Sequence, residues 1–314
     1  MTAGHPHVYF RGRWVTAEEA TVPIGSLAMR YGLSVFEGVR LYAPAAGGGH
    51  ARPFLLEEHL ARMAASLRAM RFPDPGLARL PDVVDELIDR NDIRADAYVR
   101  VAATPFNPGQ LGDPAVPELT VTASPMGRKQ WLARGRAMDL CISSGQRGPA
   151  EVHPPAAKNI ANYAGPRLAW QEARDAGYDG CVLTNRHGRL AEAPTAALFL
   201  VRDGVLSTPA LDEDVLPGIT RAWVLRTARA KGVPVQETTL TRDDARRADE
   251  AFLCGTGLEF APVRSFDRHV LAGERQPGPM TRELVAEYFV RVREEAGVPA
   301  GARACPEVTR GSTA

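Results

Sequence analysis

Pro154-Pro155-Ala156-Ala157-Lys158-Asn159-Ile160-Ala161-Asn162-Tyr163 is the stretch on which the reading of this chain turns. Lys158 stands at its centre among small and apolar residues. Only three lysines, at 129, 158 and 231, occur among the 38 Lys and Arg residues. An arginine keeps its proton, whereas a partly buried lysine can lose it. A neutral amine can attack a carbonyl carbon and form a Schiff base. Lys129, in Gly127-Arg-Lys-Gln130, reads as solvated. Lys231 ends a helical pattern before Gly232, where a cation meets the negative end of the helix dipole. Lys158 has neither explanation, which makes it the candidate nucleophile; an ordinary surface lysine in a loop is the competing reading.

Composition narrows the function classes around that lysine. Hydrophobic residues are 45% and charged residues 24% of the 314, enough apolar side chain for a full core. A net charge of +1 gives no basic footprint for nucleic acid or an anionic membrane. The four cysteines, at 141, 181, 254 and 305, lack metal-ligand spacing and read as buried and reduced, in a cytoplasmic protein. Met1-Thr-Ala-Gly-His-Pro-His7 is no signal peptide. The longest largely apolar stretch, 193–201, falls well short of the roughly 20 residues that span a bilayer.

Outward from the lysine, the chain reads as two α/β halves. Val8 to Val15 predicts a hairpin turning at Arg11-Gly12. Leu56, Leu60, Met63, Leu67 and Met70 have helical spacing, with Arg62 beside that stripe. A second helix is expected from Pro81 to Asn91. Ala97 to Ala103 alternates as a strand, which sets Tyr98 and Arg100 on one face. A Pro/Gly-rich loop runs over 104–116, and Leu119 to Ala123 is another strand. Residues 124–136 read as a linker between a domain over 1–123 and a second over 137–300, with a disordered tail over 301–314. In the second half, strands are expected at 137–143, 179–184, 197–201 and 250–254. Helices are expected at 164–176, from Leu216-Pro-Gly-Ile-Thr220 to Lys231, and at 280–295.

Several residues could serve Lys158. The helix opening at Gly218 turns the amides of Ile219 and Thr220 outward, at the positive end of a dipole suited to a phosphate. Gly255-Thr256-Gly257 permits close backbone approach and adds a hydroxyl. Glu192, among small apolar residues, needs a cationic or donor partner if it is buried. Tyr98 and Arg100 could bind a carboxylate. Each of these also has a bland reading, as a helix cap, a strand-end turn, a solvated turn carboxylate or a solvated strand face.

The chain resembles the class IV pyridoxal-phosphate aminotransferases, and among them most the branched-chain amino acid aminotransferases, from about Val8 to about Tyr288. The resemblance is carried by Tyr31-Gly-Leu-Ser-Val-Phe-Glu-Gly38, Glu58-His-Leu-Ala-Arg62-Met63, Ala97-Tyr-Val-Arg100, the Lys158 run, Leu216-Pro-Gly-Ile-Thr-Arg221, and Gly255-Thr256 with Glu259 following. It implies a fold type IV, two-domain α/β (α+β) protein with pyridoxal 5'-phosphate between the domains. It implies that Lys158 bonds the cofactor and that Glu192 pairs with its pyridine nitrogen. Arg62, Ile219, Thr220 and Thr256 are then expected to hold the phosphate, Tyr163 the phenolic oxygen, and Leu216 the ring. The substrate site is expected from Tyr31, Phe36, Gly38, Tyr98, Arg100, Met126, Thr256 and Gly257. The partners implied are an L-amino acid, branched-chain or otherwise apolar, and a 2-oxo acid such as 2-oxoglutarate, in a homodimer or larger homo-oligomer.

The sequence departs from the family at Ala196-Ala197, where Glu-Asn or Ser-Asn is usual, and at Ile160-Ala161, where Gly-Gly is frequent. Met126 stands where the bacterial branched-chain enzymes often have Trp, and the loop over 104–116 is shorter. These changes fall near the expected side-chain pocket and spare the cofactor set. An aminodeoxychorismate lyase, a D-amino-acid transaminase and a cofactor-binding protein without turnover are the alternatives.

Overall fold

The computed structural model describes residues 4–44, 48–131, 133–272 and 276–297. The expected tail over 301–314, Cys305 and part of the Gly-rich turn at 45–50 lie outside the described residues.

The first half begins with β1 (His7–Phe10) and β2 (Arg13–Thr16). Arg11 and Gly12 both take positive φ, as a two-residue hairpin turn demands. Helix α1 (Leu27–Tyr31) is capped by the Ser26 side chain and ends at Gly32, whose φ is 68°. Then follow β3 (Val35–Tyr42), β4 (Arg52–Pro53), α2 (Leu56–Ala69), α3 (Leu80–Arg90), β5 (Ala97–Pro105) and β6 (Pro117–Pro125). The strands form an antiparallel sheet in the order β2-β1-β6-β5-β3-β4. Helices α2 and α3 cover one face, packing Met63, Leu67, Val84 and Leu87 on Val39, Val99 and Val121. Because strand side chains alternate, Phe36 and Gly38 of β3 and Tyr98 and Arg100 of β5 share the other face. The register pairs Gly38 with Arg100.

Strand β6 runs two residues into the expected linker before the chain reaches β7 (Met138–Gln146). The second half continues with α4 (Ala164–Asp175), β8 (Gly180–Thr184), β9 (Ala197–Arg202), β10 (Val205–Pro209), α5 (Ile219–Ala230) and β11 (Val235–Thr238). It closes with α6 (Arg242–Arg246), β12 (Glu250–Gly255), β13 (Glu259–Phe266), β14 (His269–Val270) and α7 (Pro279–Gly297). The second sheet has the order β11-β10-β9-β12-β13-β7-β8, with β14 on β13. Its parallel pairs are β7–β8, β10–β11 and β7–β13, and α4 and α5 lie in the crossovers of the first two. Both faces of the central strands are covered. Phe199 and Phe252 pack with Trp223 and Tyr288 on one side, while Leu198 and Leu253 join Ala261 and Val263 on the other. This two-sided burial explains why β9 and β12 read as unbroken apolar runs.

The Lys158 segment joins the halves. The Lys158 carbonyl accepts a hydrogen bond from the Phe36 N–H, and the Ile160 N–H donates to Ser34 O, both at 3.0 Å. The Lys158 N–H donates to Ser66 Oγ on α2, also at 3.0 Å. The site therefore forms where the open face of the first sheet meets the loops of the second.

Candidate active site

A cavity of about 670 Å³ lies at this junction, lined from both halves. Lys158 reaches into it from a loop tied by its own side chains. Asn159 Oδ1 accepts the Ala161 N–H at 3.0 Å and opens a short 3₁₀ turn over Ile160–Tyr163. The Asn162 amide donates to the carbonyls of Pro154 and Ala157, each at 3.1 Å. That turn brings the Tyr163 hydroxyl to 2.8 Å from Lys158 Nζ, which donates to it. Phe36 packs below, with Nζ 4.7 Å from its ring centre. Burial, then the charge of Arg62, lowers the Lys158 ammonium from its ordinary 10.5 to about 8. Burial, then the charge of Glu192, pushes the Tyr163 phenol up to about 12.

Glu192 reaches the cavity from the β8–β9 connection and is only 8% exposed. A tight turn fixes it: Ala193 and Ala196 exchange backbone hydrogen bonds at 2.9 and 3.3 Å, and the Glu192 carbonyl accepts from Leu183. Burial raises its carboxyl, against the pull of Arg147. Arg147 is the partner that sequence reasoning missed. Its guanidinium lies 3.2 Å from Glu192 Oε1, and its Nε donates to Asp214 O. Nothing local distinguishes it among so many arginines. The Leu216 N–H also donates to Glu192 Oε1, at 3.3 Å.

One end of the cavity is rich in donors. Helix α5 begins at Gly218 with no side-chain cap, so the leading amides, with the Thr220 hydroxyl, face the cavity unclaimed by a cap. Thr256 and Gly257 stand across from them after β12. Arg62 arrives from α2, its guanidinium 2.8 Å from both carboxylate oxygens of Glu37 and 3.0 Å from Pro217 O. Sequence reasoning also passed over Glu37. Burial alone would raise its carboxyl, but the charge and hydrogen bonds of Arg62, with His59, hold it at about 2.

The opposite wall is the open face of β3 and β5. Arg100 stacks on Phe36, with 3.9 Å between guanidinium carbon and ring centre. The Tyr98 hydroxyl occupies the space over Gly38, where an added Cβ would overlap it, so glycine is required there. Met126 and Lys129 line the cavity from the segment after β6. Every residue nominated from the sequence lines this cavity except Tyr31, which lies on α1 with its hydroxyl turned to Gln110 at 3.4 Å.

The donor set fits pyridoxal 5'-phosphate: uncapped amides, hydroxyls and a guanidinium for the phosphate, a buried carboxylate for a protonated ring nitrogen, and an amine beside a phenol. The comparisons with known proteins agree. Residues 34–266 match the family model for class IV amino-transferases. The branched-chain-amino-acid aminotransferase of Escherichia coli (strain K12) is 33% identical over 90% of this chain and 92% of its own. Among solved structures, the branched-chain aminotransferase of Thermoproteus uzoniensis with norvaline superposes with a TM-score of 0.85 at 31% identity, covering 94% of this chain and 97% of that one. The branched-chain amino acid aminotransferase of Thermobaculum terrenum, in its PLP-bound holo-form, gives 0.83 at 31% identity, covering 93% and 95%. On the family match and on this extent of identity, the chain belongs to the class IV aminotransferases.

Proposed function

We propose that this chain is a pyridoxal-phosphate-dependent transaminase. It moves the amino group of an L-amino acid with a branched or other apolar side chain to a 2-oxo acid such as 2-oxoglutarate. The observation that carries the reading is the meeting of Lys158, Tyr163, Glu192 and the uncapped start of α5 in one cavity of a class IV aminotransferase chain. The relatives lend no support to the lyase, D-amino-acid or non-catalytic alternatives.

The bound cofactor supplies a sink for the electron pair left when the substrate Cα loses its proton. This chain's residues do the rest. Lys158 would bond the cofactor at rest, and its Nζ, once free, would be the base that takes the proton from the substrate Cα. An amine lowered to about 8 still carries its proton in most molecules at neutral pH but sheds it far more readily than an ordinary lysine. Glu192 holds the ring nitrogen protonated, and Arg147 keeps that carboxylate in place. Tyr163 bonds the phenolic oxygen. Leu216 packs on the ring. Arg62, the amides of Ile219 and Thr220, and the Thr220 and Thr256 hydroxyls hold the phosphate. Tyr98 and the Thr256-Gly257 backbone meet the substrate carboxylate, while Phe36, Gly38 and Met126 wall its side chain. Arg100 receives the distal carboxylate when glutamate or 2-oxoglutarate occupies the same space.

The reading includes a two-domain division with a linker over 124–136, and a homodimer or larger assembly in which Tyr31 serves a neighbour's cavity. The free thiols of Cys141, Cys181 and Cys254 fit a cytoplasmic setting. Among the described residues, no helix is long and apolar enough to cross a membrane. The test is a half-reaction screen of L- and D-amino donors, followed by the absorbance of the bound cofactor. Conversion by leucine, isoleucine or valine is expected; conversion by D-alanine with no L-donor active overturns the reading.

A further inference from the structure

Glu259 opens β13 just beyond the Gly255-Thr256-Gly257 turn. It is fully buried at 0% exposure, and its φ is 57°. Left-handed backbone favours glycine, yet the chain holds a carboxylate here. That carboxylate is committed on both oxygens. Oε1 accepts from the Tyr42 hydroxyl at 2.7 Å and lies 3.4 Å from the Arg40 guanidinium. Oε2 accepts the backbone N–H of Lys129 at 2.6 Å. Arg40, itself 0% exposed, also donates to Gly127 O at 3.4 Å. The Tyr42 hydroxyl in turn meets that of Tyr288 on α7, at 3.1 Å.

The segment after β6 is therefore tied through this cluster at Gly127 O and at the Lys129 N–H, and separately to Asp96, whose carbonyl accepts the Met126 N–H at 3.1 Å and whose carboxylate meets Arg128 at 3.0 Å. Met126, just before that grip, and Lys129, within it, line the cavity. Arg40 continues the face of β3 that presents Phe36 and Gly38, so one strand face both lines the cavity and holds its opposite wall. None of these contacts involves the cofactor set.

We propose that Glu259 is a positioning residue for substrate choice, holding the Met126–Lys129 wall at the depth where the substrate side chain packs against it. The inference rests on the transaminase reading and names which donors depend on the grip. A long apolar side chain reaches the wall and loses contact if the wall detaches; the methyl of alanine stops short of it. A charged hydrogen bond in a buried setting is the kind of contact that fixes such a wall.

Glu259→Gln keeps the volume but turns one acceptor into a donor; with its oxygen kept toward the Arg40 guanidinium and Tyr42, its NH2 faces the Lys129 N–H, which loses its acceptor. In the holoenzyme half-reaction, the KM for L-leucine is expected to rise about 10-fold, the size of effect a lost pocket contact gives. The KM for L-alanine is expected to move less than about twofold, with kcat for both donors retained. Lys129→Pro deletes the N–H itself and is expected to reproduce the leucine defect. Lys129→Ala trims the wall but keeps the N–H, so its leucine defect is expected to be smaller than that of Lys129→Pro. Tyr42→Phe removes a donor to Oε1 but leaves the Lys129 bond, so it is expected to lower Tm without changing the leucine-to-alanine ratio. Equal losses for leucine and alanine in Glu259→Gln, or a ratio shifted as far by Tyr42→Phe, overturn the proposal. A parent enzyme that converts no L-donor overturns the transaminase reading instead.

Discussion

Lys158 combines two demands that oppose each other, since an amine buried enough to lose its proton also destabilises the fold when it keeps it. Burial, then Arg62, brings the ammonium down to about 8 from 10.5. In the cofactor-free protein the unfolded chain binds more protons than the folded one between those values, so stability through this residue rises with pH across that window. Below about 8 both states are charged and the burial penalty is present in full; above 10.5 neither is charged. Each pH unit between the two values is worth about 1.4 kcal/mol. The difference in denaturant-unfolding free energy between parent and Lys158→Met is therefore expected to climb by a few kcal/mol from about pH 7.5 to about pH 10.5. A flat difference contradicts the burial argument. Borohydride reduction of the holoenzyme is expected to fix the pyridoxyl group on Lys158, and a label on Lys129 or Lys231 in the peptide map removes the assignment. Glu192 faces the complementary problem, a carboxylate raised by burial and steadied by Arg147. Glu192→Gln keeps the shape but cannot hold a protonated ring nitrogen. Cofactor binding is expected to survive while single-turnover proton transfer slows on the order of 100-fold; a rate within a few fold of the parent sinks this role.

Helix α2 links fold and site through a single stripe. Met63 and Leu67 go into the core, while His59, Arg62 and Ser66 lie along the side that meets β3 and the Lys158 loop. Glu37 of β3 holds Arg62 by both oxygens and His59 at 2.7 Å. Its contribution to stability is present above the ordinary carboxylate range and is lost as pH falls through about 2. Glu37→Gln leaves a buried guanidinium unpaired, a change that costs about 3–5 kcal/mol. A lower Tm and weaker cofactor retention on dialysis are expected together; retention unchanged at a lowered Tm assigns Glu37 to the core alone. The stripe of α2 was readable in advance because helical spacing is local, and Leu56, Met63 and Leu67 are buried as the pattern predicts. Lys158 and Glu192 stood out by their own settings and by the family resemblance, and Tyr163 by the resemblance alone; the cavity brings the three together. Strand β13 was not readable in advance, since Pro262 interrupts it and a register shift follows at Val263–Ser265. Nor was β11, a short and largely polar edge strand. The roles of Glu37, Arg147 and Glu259 escaped for another reason, although Glu37 and Glu259 stand in the runs that carry the resemblance. Each acts through a partner distant in sequence, as Glu259 does on Lys129, 130 residues away, and no local pattern marks such a pair.

The two sheets bury their shared junction well, but the surface near α1 does not close on itself. Ile24 is 87% exposed and Leu111 69%, with Met29 and Val116 also exposed around them. Contacts join α1 to the loop after β5: Leu27 N–H to Asn107 O at 3.0 Å, and Arg30 to Gly109 O at 2.7 Å. Apolar residues gathered on a surface in this way mark an interaction site. Tyr31 sits among them, outside the cavity of its own chain, although the family resemblance assigns it to a substrate site. A second copy that brings its Tyr31 to this chain's cavity reconciles the two facts. Hybrid dimers separate the possibilities. One chain carries Lys158→Ala and its partner carries Tyr31→Ala, and each homodimer is expected to be impaired, the first entirely. If Tyr31 serves the neighbour, the hybrid has one cavity with both defects and one with neither, because the intact Lys158 then receives an intact Tyr31 from across the interface. Activity per hybrid dimer is expected to return to about half that of the parent, as independent cavities require. If Tyr31 acts within its own chain, no cavity in the hybrid is whole, and activity stays at or below that of the Tyr31→Ala homodimer. Purifying the hybrid by two different affinity tags and measuring leucine turnover decides between them.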